Sequence, residues 1–232
     1  MTTYSASRIK LYQDCRAQYY DKYVLRLPET RKDTSGLFGS ALHSAIEHRY
    51  LYGSNPIQRF ARYVSVMYNW YTRKGYTISH SMEYSDMLSQ GREILLSFPW
   101  KSYDPIELEY EFTVPFYDFT IHGYIDLITA DGTLVDFKSS KRKPSGDSHD
   151  NDTQFLLYYH AYEYRYGYKP AQVLRHNLRD HSVQVFLPRD METKYAYIET
   201  VIKTIEQDTF DDLKDGLPIC QRCAPWCGRK LQ

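Results

Sequence analysis

The chain has 232 residues, of which 42% are apolar and 25% charged. That is enough apolar material for a substantial core without a disulfide framework, and it excludes wholesale disorder. The 29 basic residues are balanced by 29 acidic ones, so any nucleic-acid-binding surface has to be local. No apolar run reaches the roughly 18 residues of a membrane span, and Met1–Ser5 lacks the basic-then-apolar pattern of a secretion signal. The expectation is an intracellular, cytoplasmic protein with no membrane partner.

Ser5 or Ser7 caps a first predicted helix running to about Val24, with Ile9, Tyr12, Tyr19 and Tyr23 at helical spacing. A polar loop follows Pro28. Further helices are predicted over Gly36–Tyr50, Pro56–Lys74 and Ser81–Phe98, the last stopped by Pro99. The apolar period then changes to two. Glu107–Phe116, Phe119–Thr129 and Thr133–Ser139 read as successive strands, with Asp131-Gly132 as a hairpin turn. Residues 141–150 form a basic, polar loop. A helix over Thr153–Tyr166, strands over Gln172–Leu178 and Ser182–Leu187, and a helix over Arg189–Asp208 complete the pattern. It predicts one α/β domain over residues 1–232: a mainly helical portion (1–100), a sheet core (101–210) and a cysteine tail (211–232).

The hairpin carries the densest chemistry. A three-residue loop Ala130-Asp131-Gly132 puts Gly132 in the left-handed position and pairs Thr129 with Thr133. Asp126 then faces Asp136, with Lys138 on the same face two residues on. A two-residue loop would put the aspartates on opposite faces. Facing carboxylates repel unless a cation intervenes, and a hard divalent ion such as Mg²⁺ or Mn²⁺ suits their oxygens. A solvated surface hairpin is the plainer reading. The apolar flanks Leu127, Ile128, Leu134, Val135 and Phe137 weigh against it. Glu109 and Glu111 alternate with aromatics on the preceding strand, and nothing in the pattern chooses between them.

Four cysteines, Cys15, Cys220, Cys223 and Cys227, are split between the chain's two ends. Three lie in one C-terminal knuckle, a layout for a four-thiolate metal site holding zinc or an iron–sulfur cluster. Such a site would tie the first helix to the tail. No phosphate-binding GxxxxGK[ST] loop occurs, so any helicase or recombination partner is a separate chain.

Gly123-Tyr124-Ile125-Asp126 followed by Asp136-Phe137-Lys138 resembles two motifs of the PD-(D/E)XK nuclease superfamily, and its RecB-like branch in particular. Gly39-Ser40-Ala41-Leu42-His43, Gln154-Phe155-Leu156-Leu157-Tyr158 and the opening Ser5–Tyr23 segment resemble further motifs of that branch, in the same order. The resemblance implies a restriction-endonuclease-like mixed sheet flanked by helices and a metal-dependent DNA nuclease. In that role Asp126, Asp136 and Lys138 are catalytic. His43, Asp126, Asp136 and the Phe137 carbonyl bind Mg²⁺ or Mn²⁺, and Gln154 and Tyr158 hold DNA. The one-plus-three cysteine split resembles the [4Fe–4S] staple of AddB-type and CRISPR-adaptation exonucleases, although Cys223 and Cys227 are more closely spaced than in many of them. A zinc or [2Fe–2S] centre is the alternative. The implied activity is exonucleolytic, on single-stranded ends, in recombination, repair, CRISPR adaptation or viral DNA processing. The rival reading is a non-catalytic, cluster- or zinc-stapled DNA-binding or scaffold subunit.

Overall fold

The computed structural model describes residues 2–140, 152–186 and 189–214. The elements run β1 (Thr3–Tyr4), α1 (Ala6–Asp14), α2 (Arg16–Tyr19), a π-helical turn (Tyr20–Val24), β2 (Arg31–Asp33), α3 (Thr34–Tyr52), α4 (Pro56–Arg73), β3 (Thr77–Ser79) and α5 (Tyr84–Ser97). They continue with β4 (Pro105–Phe116), β5 (Phe119–Thr129), β6 (Thr133–Lys138), α6 (Thr153–Tyr166), β7 (Gln172–Asn177), β8 (Val183–Phe186), α7 (Met191–Gln207) and α8 (Asp211–Lys214). The cysteines Cys220, Cys223 and Cys227 and the basic loop lie outside the described residues.

A mixed six-stranded sheet runs β1-β5-β6-β7-β8, with β4 also on β5. Helices cover both faces. On one, α1, α2, α6 and α7 pack on Phe112, Val114, Phe116, Ile121 and Leu134. On the other, α3, α4 and α5 pack on Leu127, Val135, Phe137 and Leu174. Parallel β6–β7 pairing with α6 as the crossover buries both faces of β6, whose Leu134–Phe137 are all at most 2% exposed.

β5 has three partners on two edges. β4 covers one edge along nearly its whole length. The other edge is shared: β1 pairs in parallel at Thr120 and Ile121, and β6 in antiparallel fashion at Leu127 and Ile128. Residues 122–126 lie between them, beside the cleft described below.

The hairpin adopts the three-residue loop. Leu127 pairs with Val135 and Ile128 with Leu134, and Gly132 sits at φ 79°, where a side chain would be strained. The first helix departs from expectation. It breaks at Cys15, whose φ of −159° and ψ of 96° are extended, and resumes as α2 and the π turn. The break turns Tyr12, Tyr19 and Tyr20 onto Phe210. Strands β1, β2 and β3 were not expected, because two or three residues carry no readable alternation.

Candidate active site

The site forms where β4 and β5 change face. Along β4, Tyr110, Phe112, Val114 and Phe116 pack with the α6 side, but Leu108 packs with the α3 side. Along β5, Ile121 and Ile125 pack with the α6 side and Leu127 with the α3 side. Strict alternation would keep each set on one face. The switch coincides with Glu109, whose φ is 46°, a strained value for a non-glycine residue. Glu109 and Asp126 sit at this switch, opposite one another by the register of their neighbours.

The two candidate glutamates therefore part company. Glu109 reaches inward, its Oε1 3.8 Å from His43 Nδ1. Glu111 stays on the surface, accepting a hydrogen bond from the Tyr124 hydroxyl at 2.8 Å. Strand alternation gave no signal of the difference; the positive φ creates it.

Asp126 opens the strand pair. Its Oδ2 accepts the Phe137 backbone N–H at 2.6 Å, so this N–H is met by a side chain. Its Oδ1 faces His43 Nδ1 at 3.5 Å. His43 stands on α3, and its Nε2–H donates to the Phe137 carbonyl at 3.0 Å. His43, Glu109 and Asp126 each bring a ligand atom within 4.8 Å of the others. Gly123, just upstream, has no room for a side chain, because a Cβ would lie 2.6 Å from the Phe112 ring that crosses it.

Asp136 lies deeper, at 1% exposure. Its Oδ1 accepts from Lys138 Nζ at 2.9 Å and from the Tyr158 hydroxyl at 3.4 Å. Its Oδ2 is buried with no hydrogen-bond partner among the described residues. Gln154 closes a ring with these groups: its Oε1 accepts from Lys138 at 3.0 Å, and its Nε2 donates to Tyr158 at 2.6 Å. The Tyr158 side chain is buried and turned toward Asp136, while Gln154 and Lys138 are half-buried at the cleft. The four groups share one face of α6 and the end of β6, as the i,i+4 and i,i+2 spacings require.

The electrostatics are unbalanced. Burial lifts the Asp136 carboxyl to about 6, with Asp126 adding to it and Lys138 opposing. Burial, reinforced by Asp126, lifts Glu109 to about 7. Burial works against a charged His43 ring, yet Asp126, Glu109 and Asp136 outweigh it and raise the ring to about 9. Among the described residues, three carboxylates thus converge on the His43 ring and the Lys138 side chain. The donor set of hard oxygens plus one imidazole, with one oxygen orphaned, fits a divalent cation such as Mn²⁺ or Mg²⁺.

His43, Asp126, Asp136, Lys138, Gln154 and Tyr158 line a cleft of about 810 Å³ that also takes in Ser5, Ser7, Lys10, Gln13, His122, Asp152 and Arg175. A family model of the PD-(D/E)XK nuclease superfamily matches residues 3–227. The chain belongs to that superfamily. Its members are metal-dependent nucleases, in keeping with the His43, Glu109 and Asp126 group. The fold is shared with a solved "Putative exonuclease" from Eubacterium rectale, at 15% identity and a TM-score of 0.59, over 87% of this chain and 79% of that one. The solved protein SSO0001 aligns over 87% and 86% at 14% identity, with a TM-score of 0.32. No curated protein matches. Among the described residues no helix is long and apolar enough to cross a membrane.

Proposed function

We propose that this nuclease hydrolyses DNA from single-stranded ends with Mg²⁺ or Mn²⁺ in the cleft. The observation that carries the reading is Asp136 Oδ2, a buried carboxylate oxygen with no hydrogen-bond partner among the described residues, in the cleft that His43 and Asp126 also line. Leaving such an oxygen unmet costs roughly 1–3 kcal/mol or more, so a fold that keeps it is built around something that satisfies it. Asp126, Asp136, His43 and the Phe137 carbonyl would hold the ion, with Glu109 beside them. A divalent ion there would polarise the phosphoryl oxygen and stabilise the departing oxyanion.

The protein's own groups would do the rest. Lys138, fixed between Asp136 and Gln154, would orient the attacking water and offset charge gathering on the phosphate. Gln154 and Tyr158 would hold Lys138 and Asp136 in place, and Gln154, half-buried at the cleft, would also meet the strand. Balanced net charge suits a narrow groove for one strand better than a broad duplex-binding face. The likeness in fold to a protein described as an exonuclease accords with action from ends.

The same proposal places the chain in the RecB-like branch, as a single domain whose Cys15 joins Cys220, Cys223 and Cys227 around a [4Fe–4S] cluster. Arg16, next to Cys15, is paired with Asp208 and Asp212. That ties the first helices to the segment leading into the tail. A helicase or recombination partner would act as a separate chain.

Digestion of end-labelled linear and circular single strands with Mn²⁺ tests the activity. Wild type should degrade the linear strand and spare the circle, and Asp136→Ala should leave both intact. Cutting of circles would overturn the exonuclease reading, and equal behaviour of the two proteins would overturn the site. Metal analysis tests the staple: iron and a visible chromophore, both lost in Cys15→Ala, are expected, and zinc would replace the cluster reading.

A further inference from the structure

β6 ends at Lys138, yet its chain is held for two residues more. The Leu178 N–H donates to the Lys138 carbonyl at 2.8 Å. The Arg179 Nε–H donates to the Ser139 carbonyl at 2.6 Å, and Asn177 Nδ2 donates to the Ser140 carbonyl at 3.3 Å. Three successive carbonyls are thus met by donors from three successive residues, two of them side chains. Asn177 Oδ1 in turn accepts the Arg179 N–H at 3.0 Å, which fixes the turn that supplies these donors.

Arg179 also reaches past the strand. Its Nη1 donates to Gln90 Oε1 on α5 at 2.8 Å, and its Nη2 donates to the Met82 sulfur at 3.4 Å. The guanidinium carbon lies 4.9 Å from the centre of the buried Phe38 ring on α3. One planar group therefore touches α3, α5 and the exit of β6. None of its three side-chain acceptors is a carboxylate, and burial lowers its pKa. A guanidinium on neutral acceptors carries a desolvation cost, but its rigid fork directs every bond it makes. Next to Phe38 stands Gly39, where a Cβ would lie 2.9 Å from Ser139 Oγ. His43 is one turn further along α3. Arg179 itself is not among the residues that line the cleft.

We propose that Arg179 is a positioning residue for hydrolysis: it pins Ser139 between α3 and α5 and so holds the preceding residue, Lys138, where its ammonium spans Asp136 and Gln154. Lys138 stands on the last residue of β6, and strand ends are where local opening is easiest. Its charge sits on a flexible four-carbon stem, so slack in the backbone beneath passes to the ammonium. Misplacing a group that acts on the reacting centre by about 1 Å can cost roughly a hundredfold in rate. The inference rests on the nuclease reading for what Lys138 does. That Arg179 holds the strand end is tested without cleavage.

The test uses the full chain, with Arg179→Ala and Arg179→Lys. On an end-labelled oligonucleotide in Mn²⁺, Arg179→Ala should lower kcat about tenfold, with KM within about twofold of wild type. Arg179→Lys keeps the charge but not the fork and should lose about threefold. Guanidinium at millimolar concentration, far below what denatures, should restore part of kcat to Arg179→Ala and none to Asp136→Ala. Amide exchange gives a readout without turnover. The Leu178 N–H, bonded to the Lys138 carbonyl, should exchange several-fold faster in Arg179→Ala, with the β4 amides unchanged. Unchanged kcat, or a rise in KM alone, would overturn the assignment and leave the nuclease reading standing. A loss of kcat that guanidinium does not restore would make Arg179 a structural residue only. If Arg179→Ala does not fold, Arg179→Lys decides by the same kcat, KM and exchange measurements. If wild type cuts nothing, the nuclease reading falls and exchange decides alone: faster Leu178 exchange keeps the anchor, and unchanged exchange overturns it.

Discussion

Two clusters of buried charge in this molecule behave in opposite ways. At the junction of the first and last helices, Asp208 accepts hydrogen bonds from Arg16 and from the Tyr12 hydroxyl. Arg16 also reaches Asp212 at 2.7 and 2.6 Å. These donors, Arg16 above all, hold the Asp208 carboxyl down at about 2 despite its burial. In the cleft, Asp136 and Glu109 are pushed up instead, because burial and like charge exceed what Lys138 and His43 supply. One cluster is complete within the chain and serves as a clasp. Among the described residues, the other is a set of acceptors still short of positive charge. The lesson is that a buried acid by itself says little, whereas the sign of its shift separates a finished structural contact from a place prepared for a cation.

That contrast can be broken by experiment. The largest effect is expected from Asp136→Asn. It should cut nuclease activity roughly 10²–10³-fold by removing a group made for the transition state. Metal-free thermal stability at pH 8 should hold or rise, since a poorly compensated buried charge is removed. A fall in stability with activity retained would make Asp136 a second clasp.

Next comes metal binding itself. A site saturated at about a hundred times Kd gains about 2.7 kcal/mol, and the gain should be larger at pH 8 than at pH 5. The signs follow from the raised values. The folded state keeps protons on Asp136 and Glu109 that the unfolded chain releases near pH 4, so metal-free stability falls as pH climbs from about 4 through 6 and 7. His43, raised to about 9, contributes stability below its unfolded value that is lost as pH rises through 9. At pH 5 the ion must displace protons from both acids. A Mn²⁺-induced rise in Tm that is equal at the two pH values would contradict this account.

The clasp makes the reciprocal prediction. Asp208→Ala should cost about 2 kcal/mol in denaturant unfolding, as charged hydrogen bonds are lost, with kcat unchanged. In wild type that contribution is present above pH ~4 and disappears as pH falls toward 2. The smallest effect is expected at the edge of the cleft. Gln154→Ala should lower kcat about tenfold, as expected for a residue that orients another, and should shift the pH profile through Lys138. An effect on KM alone would make Gln154 a strand contact only.

Much of the fold could be read from pattern, because each long element carries its own period. The helices α3 to α7 and strands β4 to β8 begin and end within a few residues of where caps, prolines and alternation place them. The hairpin register followed from one glycine, Gly132. The three-residue loop already put Asp126 opposite Asp136 with Lys138 on the same face, whereas the proximity of His43, Gln154 and Tyr158 to them was suggested only by the order of motifs, since residues on separate elements carry no local signal that they meet. Three features depended on tertiary structure. β1 pairs with a strand more than a hundred residues away, and nothing in Thr3-Tyr4 announces it. The helix breaks at Cys15 because the packing of Tyr12, Tyr19 and Tyr20 on Phe210 outweighs continuity.

The choice of Glu109 over Glu111 is the clearest case. In sequence they are equivalent positions on one alternating strand. A single positive φ at Glu109, sustained by the two-faced packing around it, turns one acid inward and leaves the other in water. Sequence by itself determined which residues could do chemistry and on which elements they stand, because helical and strand periods are local properties of the chain. Tertiary structure decided which of them share a cavity and which carboxylate is left unmet, because those depend on burial by elements distant in sequence.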